Sequence, residues 1–301
     1  MPQYVGPHMA TTSLDHTVAK LDEIVDESCA AASYLAVFPA MYRSVTSAVR
    51  DAVRSGGFFD DDARLEELTV VFADLYLDAY DRHRSKGEPP ACWTLAFEIA
   101  EATRRHMILQ HVLLGMNAHI NLDLGVAAAQ VSGGRLPPLY ADFVRVNEIL
   151  FQILDGLQGG LGAVSPRMSL LDRLGGSWDE TFMRIGIRMG RDLAWSLANR
   201  LCEVPDASAE VTERDGDATW LGRAIVRGWS PMHLVGRFIA SAESTSIDEI
   251  VAALTVDRVD LDQASRAAAD DVNRAPNEEH RLRVVAKRRR RSVRRAVPET
   301  P

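Results

Sequence analysis

Along this chain apolar residues recur every three to four positions, and stretches that alternate apolar with polar are scarce. That period belongs to helices buried on one face, so the expected fold is all-α: a multi-helix bundle forming one large domain or two closely packed helical subdomains. The pattern predicts helices over residues 12–33, 35–55 and 62–83, a fourth from Trp93, and a strongly apolar segment from Met107 to Ala129. Further helices are expected at 139–161, 166–173, 178–203, 218–228, 231–241 and 246–254. Gly56-Gly57 supplies a helix stop, and Gly133-Gly134 with Pro137-Pro138 marks a loop. The stretch Pro205–Asp217, rich in Asp, Glu, Ser and Thr, is the most linker-like internal segment. There is no repeat, no Gly-rich phosphate loop and no nucleophile elbow.

The apolar segment carries four polar side chains, Asn117, His119, Asn121 and Asp123. Burying such groups costs free energy unless they find hydrogen-bond partners or a ligand. At about 100° per residue, His119 and Asp123 lie about 40° apart on one helix face. Gly115 and Val112 share that face and offer nothing bulky in front of the imidazole. His111 is offset from His119 by about 80° and reaches the same cavity from its edge. Asn117 and Asn121 pair on roughly the opposite side, so the helix has two polar stripes and is expected at the centre of the bundle. A His and a carboxylate one turn apart suit a divalent metal. They equally suit acid/base work in which Asp123 orients the imidazole, or a purely structural bond between neighbouring helices. All three readings stay open.

Other polar positions can complete a site. Asp74, Asp78 and Asp81 follow one another at helical spacing, with Phe72, Tyr76 and Tyr80 as possible cavity walls. An Asp-x-x-x-Asp pair can hold magnesium and a diphosphate, but this one lacks an Asp-rich arrangement, and a solvated acidic face is the default. Asp60-Asp61-Asp62 reads as a helix start whose charges sit against the macrodipole. The helix at 178–203 carries Arg184, Arg188, Arg191, Asp192, Trp195 and Asn199 as one stripe. Arg191 suits a carboxylate or phosphate as a planar fork; a structural pairing with Asp123, Asp142 or Asp74 across the bundle is the favoured expectation. Trp195 reads as core sooner than as a substrate platform. Asp142 reads as an N-terminal charge and Asn147 as an interhelical hydrogen bond. His106 is expected nearer the surface, and His83 and His233 have no evident partner.

The run Gln110–Gly125, with Gly-Met-Asn-Ala-His-Ile-Asn-Leu-Asp-Leu at 115–124, resembles the signature of the bacterial proteins grouped as domain of unknown function 5995. Gly56–Asp60, Phe72–Leu77, Pro89–Trp93, Asp142–Asn147 and Arg191–Trp195 resemble the same family in the same order. The similarity spans roughly residues 35–255. It implies an all-helical fold and a bacterial, actinobacterial source, and it brings no activity.

Composition narrows the remaining choices. With 47% hydrophobic residues, the 301-residue chain can bury a large core. Its apolar runs are broken by Gly, Asn, His or Asp before about 20 residues, so no membrane span is expected. Residues 1–8 read as an expression remainder, 9–258 as the helical domain and 259–301 as a charged, disordered tail. The net charge of −8 hides an asymmetry, because residues 281–301 hold nine Lys or Arg against Glu299 alone. Residues 1–280 therefore carry −16, which disfavours specific nucleic-acid binding; the basic tail lacks interleaved aromatics and reads as solvated. Cys29, Cys92 and Cys202 are odd in number and far apart, pointing to a reducing cytoplasm and to buried structural thiols.

Two functional classes follow. One is an enzyme with an apolar cavity, acting as a cyclase, lyase or hydrolase on a lipid-like, polyketide or terpenoid substrate. In it His119, Asp123 and Arg191 carry the chemistry, His111, Asn117, Asp74, Tyr76 and Trp195 shape the binding site, and a divalent metal on His119 and Asp123 is optional. The other is a non-catalytic helical binding or scaffold protein. A homo-oligomer is compatible with either, and no redox cofactor motif is present.

Overall fold

The computed structural model describes residues 12–102, 106–167, 180–227, 236–256 and 259–274. Among them there are eleven α-helices and no strand. They are α1 (Leu14–Ala30), α2 (Val37–Ser55), α3 (Asp62–Arg84), α4 (Ala91–Glu101), α5 (Ile108–Ala118) and α6 (Leu124–Val131). There follow α7 (Tyr140–Val164), α8 (Glu180–Glu203), α9 (Ser208–Arg227), α10 (Ile247–Ala253) and α11 (Leu261–Arg274). A π-helical turn, His119–Asp123, joins α5 to α6 without interrupting the rod.

Local chemistry accounts for several boundaries. Ser13 caps α1 by accepting from His16 N, and Asp61 caps α3 by accepting from Arg64 N. α2 stops where Gly56 takes a left-handed φ of 69°. Pro89-Pro90 cannot continue a helix, so α4 starts immediately after them.

The rod from Ile108 to Val131 is the centre of the bundle, enclosed by α2, α3, α4, α8 and α9. It is long and apolar enough, by length and composition alone, to cross a membrane, which the interrupted pattern did not lead us to expect. Yet 72% of its most apolar window is buried by the surrounding helices. Ile108, Leu114 and Leu122 are essentially fully buried, each stabilising the fold by about 1.5–3 kcal/mol. Close helix approach depends on missing side chains: a Cβ on Gly125 would meet the Ala194 carbonyl of α8 at 2.8 Å. α7 runs along the other side and packs against α2, α10 and α11.

Three carboxylates distant in sequence satisfy backbone donors at or just before helix starts. Asp215 of α9 accepts from Ala91 N (2.7 Å) and Cys92 N (2.8 Å) at the start of α4. Glu243 accepts from Ile108 N (3.0 Å) at the start of α5 and from Ser165 Oγ (2.8 Å) just past the end of α7. Asp142, buried at the start of α7, accepts from Asp60 N (2.7 Å) and Asp61 N (3.0 Å) and pairs with Arg145 (2.6 Å). Helix beginnings leave N–H groups without intrahelical acceptors, and an anion there also meets the positive end of the dipole.

Several expectations are corrected. The linker-like stretch 205–217 is helical from Ser208 onward, because Val211 and Arg214 turn inward and are buried. Part of the supposed disordered tail, Leu261–Arg274, is a helix with Ala264 buried against the core. Of the three thiols, all free, Cys92 is buried but Cys202 is exposed. His83 does have a partner, Glu101, at 3.0 Å. The expression remainder, the basic tail, His233, most of the expected 166–173 helix and the side chain of Arg184 lie outside the described residues.

Candidate functional site

The π turn begins and ends on the two residues of interest. The Leu124 N–H reaches back to the His119 carbonyl, a five-residue step that widens the helix for one turn; such turns concentrate at functional sites. Arg214 Nε of α9 donates to the Asn121 carbonyl (2.7 Å) and supports the altered ladder from outside. Within the turn, His119 Nδ1 lies 3.0 Å from Asp123 Oδ2. The same carboxylate oxygen accepts from Trp93 Nε1 of α4 at 2.9 Å.

An aromatic cage encloses the imidazole. Phe72 of α3 stacks on it face to face, with ring centroids 3.5 Å apart and planes at 8°. Tyr42 of α2 meets it edge-on at 4.5 Å, with Phe38, Trp93 and Tyr76 further out. The space expected in front of the imidazole beside Gly115 is therefore filled, by Phe38. Burial in this cage pushes His119 well below its ordinary pKa and Asp123 well above, with the Trp93 indole N–H opposing the second shift. Burial likewise keeps the Tyr42 phenol protonated.

Proton placement follows from charge. No cation bonds Asp123 among the described residues, and a net buried charge is costly. The pair is therefore neutral as a unit. The arrangement that shares one proton between Oδ2 and Nδ1 places the second on Nε2, whereas a carboxylic proton on Oδ1 leaves Nε2 bare. Nε2 is buried and has no hydrogen-bond partner among the described residues.

His119 lines a cavity of about 80 Å³, which is several times what one water requires. Its walls come from α2, α3, α5, the π turn, α6, α7 and α8, and are mostly apolar: Met41, Val45, Leu68, Met116, Phe143 and Ile187 are examples. Half-buried Ile120, Leu124, Val146 and Leu150 extend it from the buried pair toward the surface. Polar groups on the wall are Tyr42, Thr46, Thr69, His119, Asn147 and Arg191. Arg191 is 7% exposed; Nη2 bonds the neighbouring Asp192 (3.2 Å), while Nε and Nη1 have no partner among the described residues.

The other expected site residues are placed as follows. Arg191 does not pair with Asp123, Asp142 or Asp74. His111 does not reach this cavity; it stacks on Tyr34 (centroids 4.8 Å apart) in a separate cavity of about 20 Å³ on the far side of Phe38. Burial and nearby His106 push its pKa down to about 3. Asn117 faces α9, where its Nδ2 donates to the Ala218 carbonyl (2.8 Å) and its Oδ1 accepts from Asn121 (3.0 Å). Asp74 is buried on α3 but lines neither cavity, whereas Asp78 is exposed and pairs with Arg82, so the two do not converge on a diphosphate. Tyr76 belongs to the cage and the smaller cavity. Trp195 packs on Tyr140 and Phe143 at centroid distances of 4.9 and 5.0 Å, behind the Phe143 wall of the main cavity, which it does not itself line. Asn147 bonds within its own helix, to the Val144 carbonyl (2.7 Å), and not between helices.

A divalent ion does not fit this donor set. His119 Nδ1 and Asp123 Oδ2 point at each other instead of at a third centre, and no carboxylate lines the cavity. No group of three or more metal-binding side chains occurs among the described residues.

Sequence reasoning missed Trp93 as the partner of Asp123, and Phe38, Tyr42 and Thr46 as walls. Phe72 and Tyr76, named as possible walls from their helical spacing, do line the two cavities. Comparison with curated proteins gives no match, and comparison with solved structures gives none either. A family model described as a family of unknown function matches residues 14–228 and includes the π turn, the cage and Arg191. The chain belongs to that family, DUF5995.

Proposed function

We propose that the protein is a small-molecule enzyme in which His119 exchanges a proton with an apolar substrate, Asp123 serving as the proton partner behind it. The observation that carries this reading is the buried, unpartnered Nε2 on the wall of an apolar cavity, with Nδ1 held by a carboxylate that Trp93 also holds. When Nε2 gives its proton to a substrate oxygen, the proton shared by the pair settles on Nδ1 and the negative charge remains on Asp123, facing the Trp93 N–H. Running the steps backward makes His119 a base. The apolar lining suits a lipid-like, polyketide or terpenoid substrate, and the chemistry suits a lyase, cyclase or hydrolase. Three free cysteines fit a reducing, cytoplasmic setting.

The test is His119→Gln beside Asp123→Asn, assayed on whatever compound is extracted from the purified protein and identified by mass spectrometry. A folded His119→Gln protein that still binds this compound but no longer converts it supports the reading. Wild-type protein that leaves the compound unchanged, together with a His119→Gln variant that loses stability, supports the second reading, a binding or scaffold protein. The feature favouring that second reading is the use of buried polar side chains on the same rod, Asn117 to Ala218 and Arg214 to Asn121, to fix helix register.

A further inference from the structure

We infer that the main cavity takes an organic monocarboxylate with an apolar body, its head group held by Arg191. This deepens the small-molecule reading above and rests on its binding half, not on its chemistry. Arg191 is the one formally charged side chain lining the cavity among the described residues. It is more than nine-tenths buried, yet among the described residues Nε and Nη1 lack acceptors, and its sole partner there, Asp192, is half exposed and next to it in sequence. A buried guanidinium left in this condition is costly, and a planar carboxylate relieves the cost because its two oxygens match the guanidinium fork.

The remaining polar wall groups agree. The Tyr42 phenol and Arg191 can donate into the cavity, as can His119 Nε2 when protonated; no carboxylate lines it, and the half-exposed Asp192 outside it takes only Nη2 of Arg191. The cavity thus favours a ligand rich in acceptors. Charge sets its valence: one guanidinium against one carboxylate is neutral, whereas a phosphate dianion would leave a buried negative charge that nothing on these walls offsets. The apolar side chains from α2, α3 and α7 then receive the hydrocarbon body.

The experiment compares octanoate, 1-octanol and octyl phosphate at pH 8 by isothermal titration calorimetry, on wild-type protein and on Arg191→Met and Arg191→Lys. We expect octanoate to bind at least tenfold tighter than 1-octanol and tighter than octyl phosphate. Arg191→Met should abolish the preference for acid over alcohol, and Arg191→Lys should keep part of it. Equal binding of acid and alcohol to wild type, tighter binding of octyl phosphate, or no binding of any of the three overturns the inference without recourse to a variant, so a misfolded Arg191→Met leaves the test intact. His119→Gln separates the two proposals. If octanoate binding depends on Arg191 while the extracted compound is not converted even by wild type, the enzyme reading falls and the carboxylate site stands. If His119→Gln abolishes conversion while acid and alcohol bind alike, the reverse holds.

Discussion

Phe38 occupies the place where a side chain at residue 115 would lie: a Cβ built on Gly115 would come within 2.2 Å of the Phe38 ring Cδ2 and 2.8 Å of its Cβ. The glycine admits the ring, and the ring forms part of the cage around His119. Because the clash involves the root of the side chain and not a flexible tip, Gly115→Ala should destabilise the protein by about 1–3 kcal/mol through overpacking. Gly159→Ala, on an exposed part of α7 with open space around it, should instead stabilise by about 0.5–1 kcal/mol, the usual helix preference for alanine. Urea midpoints of the two variants should move in opposite directions.

Acid should weaken the fold through buried His111. His111 has an ordinary pKa of 6.5 that burial lowers to about 3 in the folded protein. Between those values the unfolded chain binds a proton that the native protein does not. The stability is thus complete above pH 6.5 and is lost as pH falls from there toward 3, by on the order of 4–5 kcal/mol. The His119–Asp123 pair adds nothing in this window, because the neutral buried pair and its unfolded imidazolium and carboxylate each hold two protons between about pH 4 and 6.5. Urea unfolding of wild type and His111→Gln at pH 7.5 and 4.5 checks this: the difference between the two pH values should be smaller in the variant.

Asp142→Asn should release the segment before α3. The carboxylate accepts two backbone N–H groups and pairs with Arg145, and an amide cannot reproduce all of these bonds. The expected cost is about 1–3 kcal/mol, and hydrogen exchange at the Asp60 and Asp61 amides should accelerate more than exchange elsewhere in α3.

Trp93→Phe should preserve the aromatic packing while removing the indole N–H from Asp123 Oδ2. Since that donor favours the ionised carboxylate, its loss should raise the pKa of Asp123 further and slow any step that leaves charge there. Under the proposed chemistry, conversion of the extracted compound should fall with little change in its affinity.

The sequence made the helical class legible because apolar spacing alone distinguishes a helix from a strand, and the two polar stripes of residues 115–124 placed that segment at the centre of the bundle. What escaped was partner identity. The His119 and Asp123 side chains meet in a π turn, yet a spacing of four reads the same in an α-helix, so the local change in pitch left no trace. Trp93 is thirty residues from Asp123, and hydropathy records that an indole is buried without saying what its N–H touches. The stretch 205–217 looked like a linker because its charges were read as solvated, whereas Arg214 and Asp215 are spent on the Asn121 carbonyl and the start of α4. Arg191 lies on a stripe that could meet a carboxylate across the bundle, yet the packing of α8 turns it to the cavity, where Nε and Nη1 have no acceptor among the described residues, and spacing alone carries no sign of that.

The most direct test of the account is the protonation state of His119, read from ¹⁵N chemical shifts of histidine-labelled protein between pH 5 and 8. The account predicts a protonated Nε2 at pH 7 and no titration near 6.5. An unprotonated Nε2 at pH 7, or an ordinary titration of His119 near 6.5, would contradict it.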